Sequence, residues 1–224
     1  MNYIYLLVEV ILVFIFMVLF YRFGKKDGLF VYIGFMSALL SIIMFKSIDI
    51  LSFEIDLGIP VLMGIFICSN IIIQRYGIDE IKYIIKSFII PYMLITIILS
   101  LTSLIYSSEY NMVTNDAFDS LFGYNLDNLR LLVSGLLSIG FMLWYNAYIY
   151  YYIRKNKNKY WFSNIGSILI IQFIESIIFV LISYIGSFEF DMLFGMIVVR
   201  YLLKVIIGII SLLPVSVILK MKVE

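Results

Sequence analysis

The sequence has no histidine, one cysteine (Cys68) and three prolines in 224 residues, and only 14% of it is charged. Without histidine there is no Cys/His zinc set and no Ser–His or Cys–His nucleophile pair. A lone cysteine excludes a disulfide framework within the chain. No nucleophile–base pair can be assembled from this inventory, so the chain does not read as an enzyme. A Gly-x-x-x-x-Gly-Lys-[Ser/Thr] loop is missing too, and any energy from ATP would have to come from a separate ATP-driven module. The net charge of +1 gives no electrostatic basis for binding nucleic acid. Nothing in the pattern calls for a metal or other cofactor.

What fills the chain is apolar. Hydrophobic residues make up 63% of it, where a soluble domain has about half, with about a quarter charged. The fold class that follows is all-α, a polytopic integral membrane protein forming one transmembrane helical domain over residues 1–224. Seven stretches reach the roughly 20 residues a bilayer requires: 3–21, 28–46, 57–75, 83–106, 129–153, 162–187 and 192–219. The first begins almost at Met1 and lacks a small-residue cleavage pattern, so it reads as a retained helix.

The charges between the spans are sorted. One side carries Arg22, Lys25, Lys26, Arg75, Lys82, Lys86, Arg154, Lys155, Lys157, Lys159, Lys220 and Lys222. The other carries Asp49, Glu54, Asp56, Glu109, Asp116, Asp119, Asp127, Glu189 and Asp191, with only Lys46 and Arg130 at its margins. The positive-inside rule counts the lysines and arginines and puts the N-terminus outside and the C-terminus in the cytoplasm of a multi-pass protein of the cell membrane. Tyrosines and tryptophans gather near the span ends as an interfacial belt. After Thr114 and Asn115, read as caps, Ala117, Phe118, Leu121 and Phe122 recur at helical spacing and predict a short amphipathic helix on the outer surface.

Polar residues inside the spans are few and costly, because a charge at the bilayer centre costs roughly 2.5–3.5 kcal/mol even on the lenient insertion scale. Glu175 lies near the middle of the sixth span, and Lys204 lies at matching depth on the seventh, with Arg200 one turn away on the same face. Gln172 extends the polar face of the sixth span. Asn70 and Gln74 share a face of the third, and Asn146 stands on the fifth. Glu9 and Lys46 form a second candidate ion pair nearer the outside. The alternative role of each amide is a structural hydrogen bond between helices.

These positions carry a resemblance. FGKKDGLFVYIGFMSALLSIIMFK (23–46) resembles a Phe-Gly-Lys…Gly-Leu turn followed by a span ending in lysine. CSNIIIQRYGIDEIKYII (68–85) resembles an acidic Asp…Thr-Glu-x-Tyr-Gly motif with Tyr76 and Gly77 kept. Arg130 begins a span, and WFSNIGSILIIQFIESIIFVLISYIG (161–186) resembles a Trp-x-Arg-Asn…Ser-Gln-x-Ile-Asp-Thr segment with Gln172 kept and Glu175 at the aspartate. Lys204 and Leu213-Pro214 follow at a matching distance. Over most of its length the chain thus resembles the queuosine-precursor transporters of the VUT type, membrane proteins that import 7-deazaguanine bases. Its departures are of one kind: Asn70, Gln74 and Asn146 stand where the family has acids, Ser163-Asn164 where it has Arg-Asn, and Leu143 where it has glutamine.

The resemblance implies an uptake transporter for a small neutral solute, with a queuosine precursor favoured. Glu175 would accept the solute's N–H donors while Lys204 or Arg200 holds it ionised, and the amides Asn70, Gln74, Asn146 and Gln172 would donate and accept. Phe173 or Tyr145 could stack on a base. An Asn70→Asp change is expected to be tolerated, since the relatives carry an acid there. Two alternatives stand beside this reading: a substrate-capture subunit of an ATP-driven importer, and a non-transporting paralogue acting as a binding or scaffold protein.

Overall fold

The computed structural model describes residues 2–106, 112–156 and 159–222. Glu109 and Lys157, counted above among the loop charges, lie outside these. The described residues are mostly helical, with one short hairpin. Helix α1 (Asn2–Ile43) is followed by strands β1 (Ser47–Ile50) and β2 (Phe53–Asp56), then by α2 (Ile59–Tyr76) and, after a 3-10 turn, by α3 (Ile81–Thr102). Next come α4 (Met112–Phe122), α5 (Leu126–Asn156), α6 (Tyr160–Tyr184), α7 (Phe190–Ile210) and α8 (Leu212–Lys220).

Six of these stretches are long and apolar enough to cross a bilayer, and the first, Tyr3–Ile43, is 41 residues long. A straight helix of that length would reach about 60 Å, twice the hydrocarbon thickness. It does not run straight. Lys25 leaves the helical region (φ 49°, ψ −122°) and the chain doubles back. Tyr32 Oη donates to the Val13 carbonyl at 3.1 Å, and the Phe20 and Tyr32 rings lie 5.9 Å apart. Twelve residues of continuous helix would separate those rings by about 18 Å. Gly28 has to be glycine here, because a Cβ on it would collide with the Phe20 carbonyl oxygen. The two arms of α1 therefore account for the first two predicted spans, and the bundle has seven crossings.

α7 and α8 form one membrane stretch interrupted at Ser211, with Pro214 two residues into the second piece. Arg75 closes the far end of α8, donating to the carbonyls of Ile218 and Met221. Lys25 reaches the Lys222 carbonyl at 3.0 Å. Lys25 and Arg75 thus meet the end of α8 at one end of the bundle.

The hairpin lies at the other end. Ile48 pairs with Ile55 and Asp49 with Glu54, joined by Leu51 and Ser52, both with positive φ. Its alternation puts Ile50 and Ile55 inward. The Phe53 ring lies where a side chain on Gly195 would stand, which seats the hairpin against α7. The helix α4 lies at this same end, its Phe122 ring 5.6 Å from Phe45. It begins before Thr114 and Asn115, which sit inside it rather than capping it.

Candidate functional site

α6 carries the polar face of the bundle. Asn164, Ser167, Gln172, Glu175 and Ser176 are all buried and recur at spacings that keep them on one side. α5 presents Ser134, Ser138 and Asn146 toward it, α7 presents Arg200 and Lys204, and α2 presents Ser69 and Asn70. Small residues on α5 let the helices approach closely enough for short side chains to meet: Ser134 and Ser183 share a hydrogen bond of 2.6 Å.

Two networks result. The first is ionic. Lys204 pairs with Glu175 Oε2 and donates to Ser176 Oγ at 3.0 Å. Arg200 pairs with Asp56 through one guanidinium nitrogen and holds another 3.6 Å from Glu175 Oε1. The Arg200 guanidinium also sits 3.8 Å over the Phe179 ring. Two acids and two bases cancel, and all four residues are at most 5% exposed. Neutrality matters here, since the effective penalty for each buried ion is several kcal/mol unless a partner offsets it. Glu175 Oε1 is the loosest member, reached by Arg200 and by Ser138 Oγ at 3.4 Å.

The second network is built from amides. Asn146 Nδ2 donates to Asn70 Oδ1 at 2.7 Å and to Ser69 Oγ at 3.2 Å. Asn70 Nδ2 donates to Asn164 Oδ1 at 2.8 Å and to Ser167 Oγ at 3.3 Å. Asn164 passes the chain on to Ser211 Oγ at 3.3 Å, at the break between α7 and α8.

Gln172 lies on α6 between the two networks, about 7.5 Å of helix rise from Ser167 and about 4.5 Å from Glu175. It is fully buried, and neither its carbonyl oxygen nor its amide nitrogen has a partner among the described residues. Asn146 Oδ1, Ser163 Oγ and Arg200 Nε share that condition. In hydrocarbon an unmet polar group costs several kcal/mol. A fully buried amide with both ends open is rare in a folded protein.

The structure thus brings together Glu175, Lys204 and Arg200, and joins Asn70 to Asn146. It separates other residues read together from the sequence. Gln74 faces the positively charged end, where its carbonyl oxygen accepts from Tyr150 at 2.9 Å and from Arg154 at 2.7 Å. Glu9 and Lys46 form no ion pair. α1 ends at Ile43, before Lys46, whose exposed side chain stands across a cleft from Glu9, and one Glu9 oxygen is buried without a partner among the described residues. Phe173 and Tyr145 point outward, 47% and 51% exposed. Reading the sequence also missed Asp56, Asn164, Ser138 and Ser176 as partners. Helix phase signalled the last three, since each falls on the face that already held Gln172, Glu175 or Asn146, and Asn164 also stands in the Arg-Asn position of the resemblance.

The membrane interior of the bundle thus holds a neutralised ion cluster and open amide groups. The chain belongs to the family described as "Putative vitamin uptake transporter", whose model matches residues 56–219, from Asp56 through α8. It is also similar to the "Probable queuosine precursor transporter" of Bacillus subtilis (strain 168), at 24% identity over 202 residues, covering 89% of this chain and 86% of that protein. No solved structure matches it. The protein is therefore a multi-pass membrane protein of a transporter family that takes a small-molecule substrate.

Proposed function

We propose that the protein takes up a small, neutral, planar solute of the 7-deazaguanine class across the cell membrane and binds it between the two networks on α6. The observation that carries this reading is the open Gln172 amide, with the free Asn146 carbonyl oxygen on one side and the loosely held Glu175 Oε1 on the other. A deazaguanine offers adjacent N–H donors and a carbonyl acceptor. Gln172 can meet both kinds, and Asn146 Oδ1 and Glu175 Oε1 can accept from the donors. Because Asp56, Glu175, Arg200 and Lys204 sum to zero charge, a neutral ligand leaves that balance undisturbed. The name of the Bacillus subtilis relative supports the solute class. The clustering of cations at the Lys25 end supports a cytoplasmic placement of that end, with the hairpin outside.

The test is reconstitution of this chain alone in proteoliposomes with radiolabelled 7-deazaguanine. A self-sufficient carrier accumulates or exchanges the label. Binding without passage identifies a capture subunit that needs an ATP-driven partner, and the absence of both binding and passage contradicts the proposal.

A further inference from the structure

The hairpin end of the molecule contains a cleft of about 470 Å³ walled by Glu9, Lys46 and Asp49 and floored by Leu6, Ile48 and Leu57. The same three apolar residues also bound a cavity of about 10 Å³ on their inner side, and Asp56 lines that inner cavity. Asp56 is bound to Arg200, and Arg200 lies against Glu175. Cleft, apolar floor, Asp56, Arg200 and Glu175 therefore form one continuous series from the surface to the middle of the bundle. From these relationships we infer that the cleft is the entry vestibule for the solute, that Leu6, Ile48 and Leu57 form its gate, and that the Asp56–Arg200 pair is the latch holding the gate shut. This inference rests on the transport reading.

The chemistry of the vestibule fits a ligand rich in N–H donors. Glu9 has a buried carboxylate oxygen without a partner among the described residues. Asp49 stands directly opposite Glu54 in the hairpin, a like-charge pairing that packing alone does not favour. Glu54 is satisfied by Ser47 Oγ at 2.6 Å, while Asp49 is exposed. Acceptors thus outnumber the one cation, Lys46, on the cleft wall. The gate is apolar and thin, and the hairpin that contributes Ile48 to it and ends next to Leu57 has a tight turn at Leu51-Ser52, where both residues take a positive φ that glycine or asparagine would adopt more easily. Asp56 belongs to that hairpin, so opening it draws Asp56 away from Arg200. Arg200 keeps Glu175 as its remaining acid, so the guanidinium stays paired while the hairpin moves. Gate and site are coupled through one guanidinium.

The test needs no solute. In a Cys68→Ala background, Ser176→Cys places a thiol beside Lys204, and Ser52→Cys at the exposed hairpin tip reports which face of a sealed vesicle is reached. Impermeant cationic (trimethylammonioethyl) and anionic (sulfonatoethyl) methanethiosulfonates are added from the hairpin side. Ser176→Cys is expected to react slowly, faster with the cationic reagent. Asp56→Asn should raise the rate about tenfold, the effect of releasing ~1.4 kcal/mol from the closed state. Leu57→Trp should suppress labelling, and Glu9→Gln should remove the preference for the cation. Labelling that is the same in all these backgrounds, or that occurs only from the Lys25 side, overturns the inference. If Asp56→Asn does not fold, Leu57→Trp and Glu9→Gln decide the matter alone. An open path in a protein that takes up no solute would sink the transport reading and spare the path. Uptake with labelling unaffected would do the reverse.

Discussion

Asn146 donates its amide to the Asn70 carbonyl oxygen across 2.7 Å, and Asn70 spends its own amide on Asn164 and Ser167. The expectation that an aspartate would be tolerated at position 70 is changed by this geometry. A carboxylate there still accepts from Asn146, but it faces the Asn164 oxygen with no proton to offer. Asn70→Asp is predicted to lower stability by about 3–5 kcal/mol, the cost of an unpaired buried charge. Adding Ser163→Arg should recover part of that loss, since Ser163 Oγ is itself unpartnered and the resemblance places an arginine there. Thermal unfolding of the purified variants measures both effects, and an Asn70→Asp protein as stable as wild type would contradict the assigned network.

The Glu175–Lys204 pair should behave as a unit. Glu175→Gln strands Lys204, and Lys204→Met leaves Glu175 with Arg200 alone. Each is expected to cost about 3–5 kcal/mol, as removing one partner of a buried pair does. The double variant is neutral again and should recover most of the folding stability without recovering ligand binding. A double-mutant cycle reads this directly. Additive losses would mean that the two charges do not stabilise one another.

The reversal at Lys25 gives a topological prediction. Phe23, 84% exposed, and Ser52 at the hairpin tip lie at opposite ends of the second arm of α1. In a Cys68→Ala background, Ser52→Cys should react with an impermeant maleimide on intact cells and Phe23→Cys only after permeabilisation. Reaction of both from the same side would remove the seventh crossing, and the reverse pattern would invert the orientation.

How much of this was legible in the sequence depends on what the bilayer itself dictates. Span length and charge sorting are imposed by lipid and by insertion, so the seven crossings could be read directly. The meeting of Glu175 with Lys204 followed from depth matching on neighbouring antiparallel helices. The hairpin was harder. Its strands are four residues each, and Leu51-Ser52 lacks the Asn-Gly signature of a tight turn. Only the alternation of Ile48, Ile50 and Ile55 marked it, and missing it made Asp56 look like a loop acid rather than the partner of Arg200. Glu9 and Lys46 failed as a pair because the end of α1 at Ile43 could not be placed to the residue. That Gln172 has no partner depends on every neighbouring rotamer, which sequence spacing does not specify.

The central claim is that the open Gln172 amide binds the solute, and Gln172→Met tests it most directly. Methionine is of similar size and removes two unsatisfied polar atoms, so the variant is predicted to be at least as stable as wild type. The measurement is ligand-dependent thermal stabilisation of both purified proteins across a panel of 7-deazaguanine, guanine, adenine, uracil and vitamins. The account predicts that 7-deazaguanine stabilises wild type, by about 2.7 kcal/mol at a hundredfold excess over Kd, and leaves Gln172→Met unmoved. Equal stabilisation of the two proteins would contradict it.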